Sequence, residues 1–219
     1  MFLKSTIVSC FFIFLSFQSF AQRNYNGYNF LGLTGGMSIF DIKTDDFVTN
    51  SRESFMGGFT SRGAFYNDFD LVYGISFQGA KVAIQGSNPM NPNPQDIEYT
   101  INGVQINFLG SYNVVVKHLS VEFGPILQIN GKMKLNDKKF EDYILSGYST
   151  TTAKEIQDIS KIDFRVMGGI TAGLEHFRLN AQYQYGVSNM FGKLNDKDLE
   201  KNGFKGNSST ILLAAIIYF

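Results

Sequence analysis

The chain has 219 residues, 17% of them charged and 15% aromatic, with 19 basic and 19 acidic side chains, two histidines and one cysteine. An even charge balance gives no basic field for nucleic acid, and a lone cysteine excludes a disulfide framework. Its length is ample for a domain held by packing and backbone hydrogen bonds alone.

Residues 1–21 read as an export signal. Lys4 is the positive start, Ile7 to Phe17 the apolar stretch, and Ser19-Phe20-Ala21 a small-residue cleavage site. The stretch falls short of the ~18–20 residues of a spanning helix and is broken by Ser9, Ser16 and Gln18. Cys10 lies inside it behind a poor lipidation pattern, so the mature domain, 22–219, is expected to be cysteine-free. Losing Lys4 leaves 18 basic against 19 acidic residues, a net charge near −1.

From Gln22 onward, apolar and polar residues alternate with period two in eight segments: 28–40, 55–66, 69–81, 97–113, 117–130, 162–174, 177–189 and 209–219. That is the pattern of antiparallel strands, each long enough to span a bilayer at a tilt. The connections alternate long (41–54, 82–96, 131–161, 190–208) and short (67–68, 114–116, 175–176). No later segment is apolar for long enough to cross as a helix. The expectation is an all-β, eight-stranded antiparallel transmembrane up-and-down barrel, with short turns and both termini in the periplasm and the long loops outside.

Which row faces inward separates a membrane barrel from a soluble lipocalin-type carrier. In 162–174 one row is Ile162, Phe164, Val166, Gly168, Ile170, Ala172 and Leu174, and the other carries Asp163, Arg165, Thr171 and glycines. Segments 117–130 and 177–189 repeat the pattern. Large aromatics fill the apolar rows and small polar residues the others, so the narrow lumen takes the polar rows and the aromatics meet lipid. Phe65, Phe69, Tyr73, Tyr112, Phe177 and Tyr185 are expected at the two interfaces.

Two segments are irregular. Apolar parity switches from Ile97, Tyr99 and Ile101 to Val104, Ile106 and Phe108 across Asn102-Gly103, which suggests a β-bulge in that strand. The last strand is apolar on both rows and is oriented outward through Ile217 and Phe219.

In Val121 to Pro125, Asp163 to Gly173 and Gln182 to Asn189 the chain resembles the PorT-like outer-membrane β-barrel proteins of Bacteroidota. The resemblance covers essentially the whole mature chain, although Arg165 stands where similar proteins more often have Gly. It implies the barrel, and for the founding member a part in type IX secretion and gliding; fold alone does not carry that role.

The inward rows place Arg62, Asp70, Glu122, Asp163, Arg165 and Arg178 in the lumen as a polar plug, with no open pore. The histidines His118 and His176 fall at short turns, which disfavours an outer-leaflet lipid-modifying enzyme. Asp41, Asp45, Asp46, Asp196, Asp198 and Glu200 read as solvated loop acids, since neither loop has an EF-hand spacing. No cofactor, metal or catalytic residue is expected. Lys-Leu-Asn-Asp-Lys occurs twice, at 134–138 and 193–197, as recurrent turn chemistry or a shared contact.

Loop 82–96 is too rich in Pro and Asn for regular structure. Loop 131–161 carries the capping box Thr152 to Glu155 ahead of Ile156 and Ile159, hence a short helix. That loop is the expected place for a protein partner. The reading is a small non-enzymatic outer-membrane barrel with lipid around it, the secretion accessory, the carrier and the enzyme being its alternatives.

Overall fold

The computed structural model describes residues 27–219; the expected signal at 1–21 lies outside the described residues. The strands are β1 (Asn29–Lys43), β2 (Thr49–Tyr66), β3 (Phe69–Asn88), β4 (Asn91–Val115), β5 (Leu119–Leu135), a two-residue β6 (Ile144–Leu145), β7 (Ile162–Gly173), β8 (Phe177–Gly186) and β9 (Asn207–Tyr218). Each of the eight long strands pairs antiparallel with its neighbours, and β9 returns to β1 from Gly32 opposite Tyr218 to Lys43 opposite Asn207. The sheet is thus a closed ring. The start of β1 and the end of β9 meet at the end with the short turns, where Leu31 and Phe219 exchange backbone hydrogen bonds. Asn67 (φ 50°) and Lys117 (φ 63°) make the left-handed turns at that end.

The rows face as the alternation predicts. Leu33, Phe59, Ile75, Phe108, Phe123, Ile170, Leu179 and Leu213 point outward and are exposed, while Thr60, Gln78, Gln105, Glu122 and Asn180 are buried inside. An exposed apolar belt around a polar interior is the polarity of a membrane barrel. β9 turns Ile217 and Phe219 outward, and its second apolar row, Leu212, Ala214, Ile216 and Tyr218, lines the lumen.

Several strands outrun the bilayer. On β3 the outward row is apolar from Phe69 to Phe77, and nine positions at ~3.3 Å with ~40° of tilt rise roughly 23 Å, close to a full hydrocarbon band. The strand nevertheless continues to Asn88, and β4 runs for 25 residues. Loop 82–96 is therefore not irregular but the tip of a long β3–β4 hairpin, paired as far as Asn88 opposite Asn91. Its tip lies beyond β5, whose pairing with β4 starts at Tyr99, so Pro92 and Pro94 sit on a stretch with one strand neighbour, where a missing N–H is tolerated. Likewise the first long connection shrinks to 44–48.

Above the belt the polarity inverts. Phe40, Ile42, Val82, Ile84, Ile97, Tyr99, Ile101 and Met133 point inward into an apolar core, and Asp41, Lys43, Lys81, Thr100 and Lys134 face out. This corrects the bulge expected in β4. Its odd residues face inward without a break from Ile97 to Asn113, and its register with β3 is continuous there. The apolar residues change row because the surroundings change. An extra residue does occur at this height, but on β5, where Gly131 and Lys132 oppose Asn102 alone. Tyr73 is also corrected: it faces lipid in the middle of the outward row of β3, not at an interface.

Ile106 and Thr100 share the outward face of β4 but lie on opposite sides of this boundary. Ile106→Lys is expected to cost about 2–4 kcal/mol, as for a cation deep in the hydrocarbon. Thr100→Lys, which loses the hydrogen bond to Asn136 and puts a cation between Lys81 and Lys134, should cost only about 1 kcal/mol. Urea titration of the bilayer-reconstituted protein checks both; equal losses would contradict the boundary.

Candidate functional site

The lumen holds the six charged side chains named from the sequence, in two separate clusters. Near the turn end, Arg62 is fully buried and donates from Nη1 to Asp70 Oδ2 (3.0 Å) and Ser111 Oγ (2.8 Å), and from Nη2 to Glu122 Oε1. Tyr28 donates its hydroxyl to Asp70 (2.6 Å), and Asn180 Nδ2 donates to Glu122 Oε2 (3.2 Å) and to Thr171 Oγ1 (2.9 Å). With Tyr218 Oη accepting from Nε (3.3 Å), residues of β3, β4, β5 and β9 converge on this one guanidinium of β2, because inward positions on tilted strands at the same height meet across a narrow axis. Arg178 completes the cluster differently. Its guanidinium is buried 5.8 Å from the Tyr218 ring and has no hydrogen-bond acceptor among the described residues.

Nearer the loop end, Asp163 accepts from Arg165 Nε (2.7 Å), Ser188 Oγ (2.7 Å) and Ser208 Oγ (2.6 Å). Arg165 reaches Gln184 Oε1 (3.4 Å), which also accepts from Gln105 Nε2 (3.0 Å). Between the clusters lies an apolar layer of Val72, Leu109, Ile126 and Met167. A cavity of about 50 Å³ lined in part by Thr60, Ser76, Glu122 and Asn180 remains beside it, enough for a few waters. Sequence reading missed Tyr28, Ser111, Ser120, Asn180 and Tyr218 as partners of the plug. The inward parity of each carried the signal; which residues share a height depends on strand tilt.

Above the lumen the loops fold inward. Phe47 of the first loop stacks on Phe204 (5.4 Å between ring centres) and meets Phe191 edge-on (5.2 Å). Leu145, Ala153, Ile156 and Ile159 of loop 131–161 and Met190 and Leu194 of loop 190–208 join the same core. β6 pairs with Gly86 and Ser87 of β3, and Tyr99 donates its hydroxyl to Ala153 O (3.0 Å). The capping box yields only one 3₁₀ turn, Glu155–Gln157. Glu155 accepts from Thr152 N (2.7 Å), but the Thr152 hydroxyl donates to the same carboxylate instead of capping the turn.

The remaining candidates are scattered. His118 is exposed beside Gly173 O (2.9 Å) and His176 beside Tyr218 O (3.2 Å), both at the turn end. The loop acids hold cations and amides: Asp41 pairs with Lys43, Asp46 with Lys201, Asp196 with Lys193, and Glu200 accepts from Ser149 N and Thr150 N (2.8 Å each). Among the described residues no three carboxylates or imidazoles converge as a metal site. The two Lys-Leu-Asn-Asp-Lys copies differ in structure, the first ending β5 and the second forming the 3₁₀ turn Gly192–Asp196, although both turn a leucine toward the cap.

A closed eight-stranded ring with a lipid-facing apolar belt and a plugged polar lumen accords with the family comparison. The chain belongs to the outer membrane protein beta-barrel domain family. The family model matches residues 20–192, most of the chain. No curated protein matches the sequence. Among solved structures, the chain is similar to Neisserial surface protein A, with 11% identity and a TM-score of 0.50 over 86% of this chain and 97% of that one. Ail of Yersinia pestis has 14% identity and a TM-score of 0.45 over 87% and 99%, and OprG of Pseudomonas aeruginosa 13% and 0.41 over 87% and 95%. These likenesses concern the fold. The protein is an outer-membrane β-barrel, which removes the soluble carrier.

Two tests follow from the charged groups of this outer-membrane barrel. Arg62→Leu strands Asp70 and Glu122 and should cost about 3–5 kcal/mol, whereas Arg178→Leu, which breaks no hydrogen bond, should be neutral or stabilising. Urea midpoints of the two variants compare them directly. In the loops, the amides of Thr150 and Ser149 hold the Glu200 carboxyl below its ordinary range. A depressed carboxylate contributes stability above its unfolded value of about 4.3, and loses it as pH falls through the lower folded value. Exchange protection of the Ser149 and Thr150 amides should therefore collapse in that acid window, and Glu200→Gln should weaken it already at neutral pH.

Proposed function

We propose that the protein is a non-enzymatic, non-conducting barrel whose loop end is an outward-facing interaction surface, with the short turns and both termini in the periplasm. One observation carries this reading: the long loops are packed as a hydrophobic lid over a lumen that side chains already fill. A barrel built for passage has no use for a sealed mouth. A barrel built for contact gains from a rigid one, because ordering is not lost again on binding. The polar outer faces of 137–142 and 147–152, above that lid, are the proposed contact zone. The lack of a histidine set against a hydroxyl or carboxylate in the described region supports a non-enzymatic role.

The finer reading is a PorT-like accessory of type IX secretion or gliding. Its support is the resemblance in Val121 to Pro125, Asp163 to Gly173 and Gln182 to Asn189. The native protein in planar bilayers is expected to give no stepwise conductance, and a steady ohmic channel would overturn the plugged reading. Deleting the gene should alter the secreted proteome or surface motility if the accessory role holds; an unchanged secretome and normal spreading remove it.

A further inference from the structure

Loop-end lysines gather at one height on the outside of the barrel. Ile129 on β5 and Ile162 on β7 face each other across the ladder and are the last lipid-facing residues of their strands. Lys132, in the β5 bulge, and Lys161, just before β7, come next along the chain, so both stand at the upper edge of the hydrocarbon. Together with Lys193 and Lys197 from loop 190–208 they line a crevice of about 440 Å³. Two carboxylates share it. Asp158 bridges Lys132 (3.2 Å) and Lys197 (2.8 Å), and Asp196 pairs with Lys193 (3.1 Å). Four cations against two anions leave the crevice at +2, and Lys161 has no carboxylate partner among the described residues.

The crevice is continuous downward. Asn130 and Gly131 line it and also a second groove of about 490 Å³, which descends the outer wall between Phe77, Val104 and Ile129 and is floored by Gly79 and Gly103. A cationic pocket at headgroup height above an apolar groove at acyl-chain height is complementary to an amphiphile, not to a free ion.

We propose that this crevice seats the phosphate-bearing headgroup of a lipid in the leaflet at the loop end, with one acyl chain lying in the adjoining groove. Excess positive charge at the membrane surface selects anionic headgroups, and the bulge that carries Lys132 opens the space beneath it. The site is independent of any partner bound above the lid and does not depend on which leaflet the loops face.

The test uses the detergent-solubilised mature protein, titrated with short-chain phosphatidic acid, short-chain phosphatidylcholine and inorganic phosphate, with retention read by native mass spectrometry. Phosphatidic acid should be held preferentially. Replacing Lys132, Lys161, Lys193 and Lys197 by Gln should weaken it about tenfold or more. The same replacement at Lys134, Lys138, Lys139 and Lys154, also at the loop end, should leave it unchanged. Equal weakening in both variants, equal affinity for phosphatidylcholine, or inorganic phosphate bound as tightly as the lipid would each overturn the proposal. Heat-modifiable gel migration reports whether a variant has closed. If the fourfold change prevents closure, Lys161→Gln, which breaks no ion pair, replaces it with an expected loss of about fivefold.

Discussion

The seam between β9 and β1 is the constraint on which the other features rest. In hydrocarbon every backbone N–H and C=O must find a partner within the protein, so a sheet can cross only if its first and last strands meet. Here they pair along their length, from the turn end, where Phe219 is tied to Leu31, to Lys43 and Asn207 near the loops. Closure around eight strands fixes a narrow axis, and a narrow axis has to be filled. The filling can be polar only if it satisfies itself, which is why Arg62 is met by Asp70, Glu122 and Ser111, and Asp163 by Arg165 and two serines.

The same cylinder passes through two solvents, and the side chains follow them. Within the bilayer the outside is apolar and the inside polar. Beyond it the outside meets water, so the apolar residues move inward and form an ordinary hydrophobic core with the loops as its cover. The crossing is marked by the β5 bulge and by a second register irregularity in β2 between Ser51 and Phe55. On the outer wall above it, Arg52 of β2 reaches Asp96 (2.6 Å) and Glu98 (3.1 Å) of β4, across β3. The lid and the lysine crevice are both products of this boundary: one is the core that water demands, the other the charge that a headgroup layer permits.

The belt and plug are what any small outer-membrane barrel requires, so the features particular to this chain stand at the loop end. A lid packed through Phe47, Phe191 and Phe204 fixes the polar surfaces above it, which is the property the proposed interaction role rests on. The buried charges are better read as architecture. Apart from Arg178 they are paired within the lumen, and the apolar layer of Val72, Leu109, Ile126 and Met167, with the small polar-lined cavity beside it, lies between their two clusters.

Period-two alternation and the long and short connections determined the strand number, the antiparallel order and the facing of β5, β7 and β8, because parity along a strand is a local property. Parity likewise placed Arg62, Asp70, Glu122, Asp163, Arg165 and Arg178 inside. Which of them meet was decided by tertiary structure, since tilt and stagger set the height of each residue on the common axis. Height also decided the reading of β4: Ile97, Tyr99 and Ile101 are apolar for a water-surrounded core, Val104, Ile106 and Phe108 for lipid, and a sequence does not state where the bilayer ends. Loop 82–96 looked irregular for a related reason, since Pro and Asn weaken a strand locally while the long hairpin is held by pairing that runs from Asn88 opposite Asn91 at the tip to Val82 opposite Tyr99 and beyond.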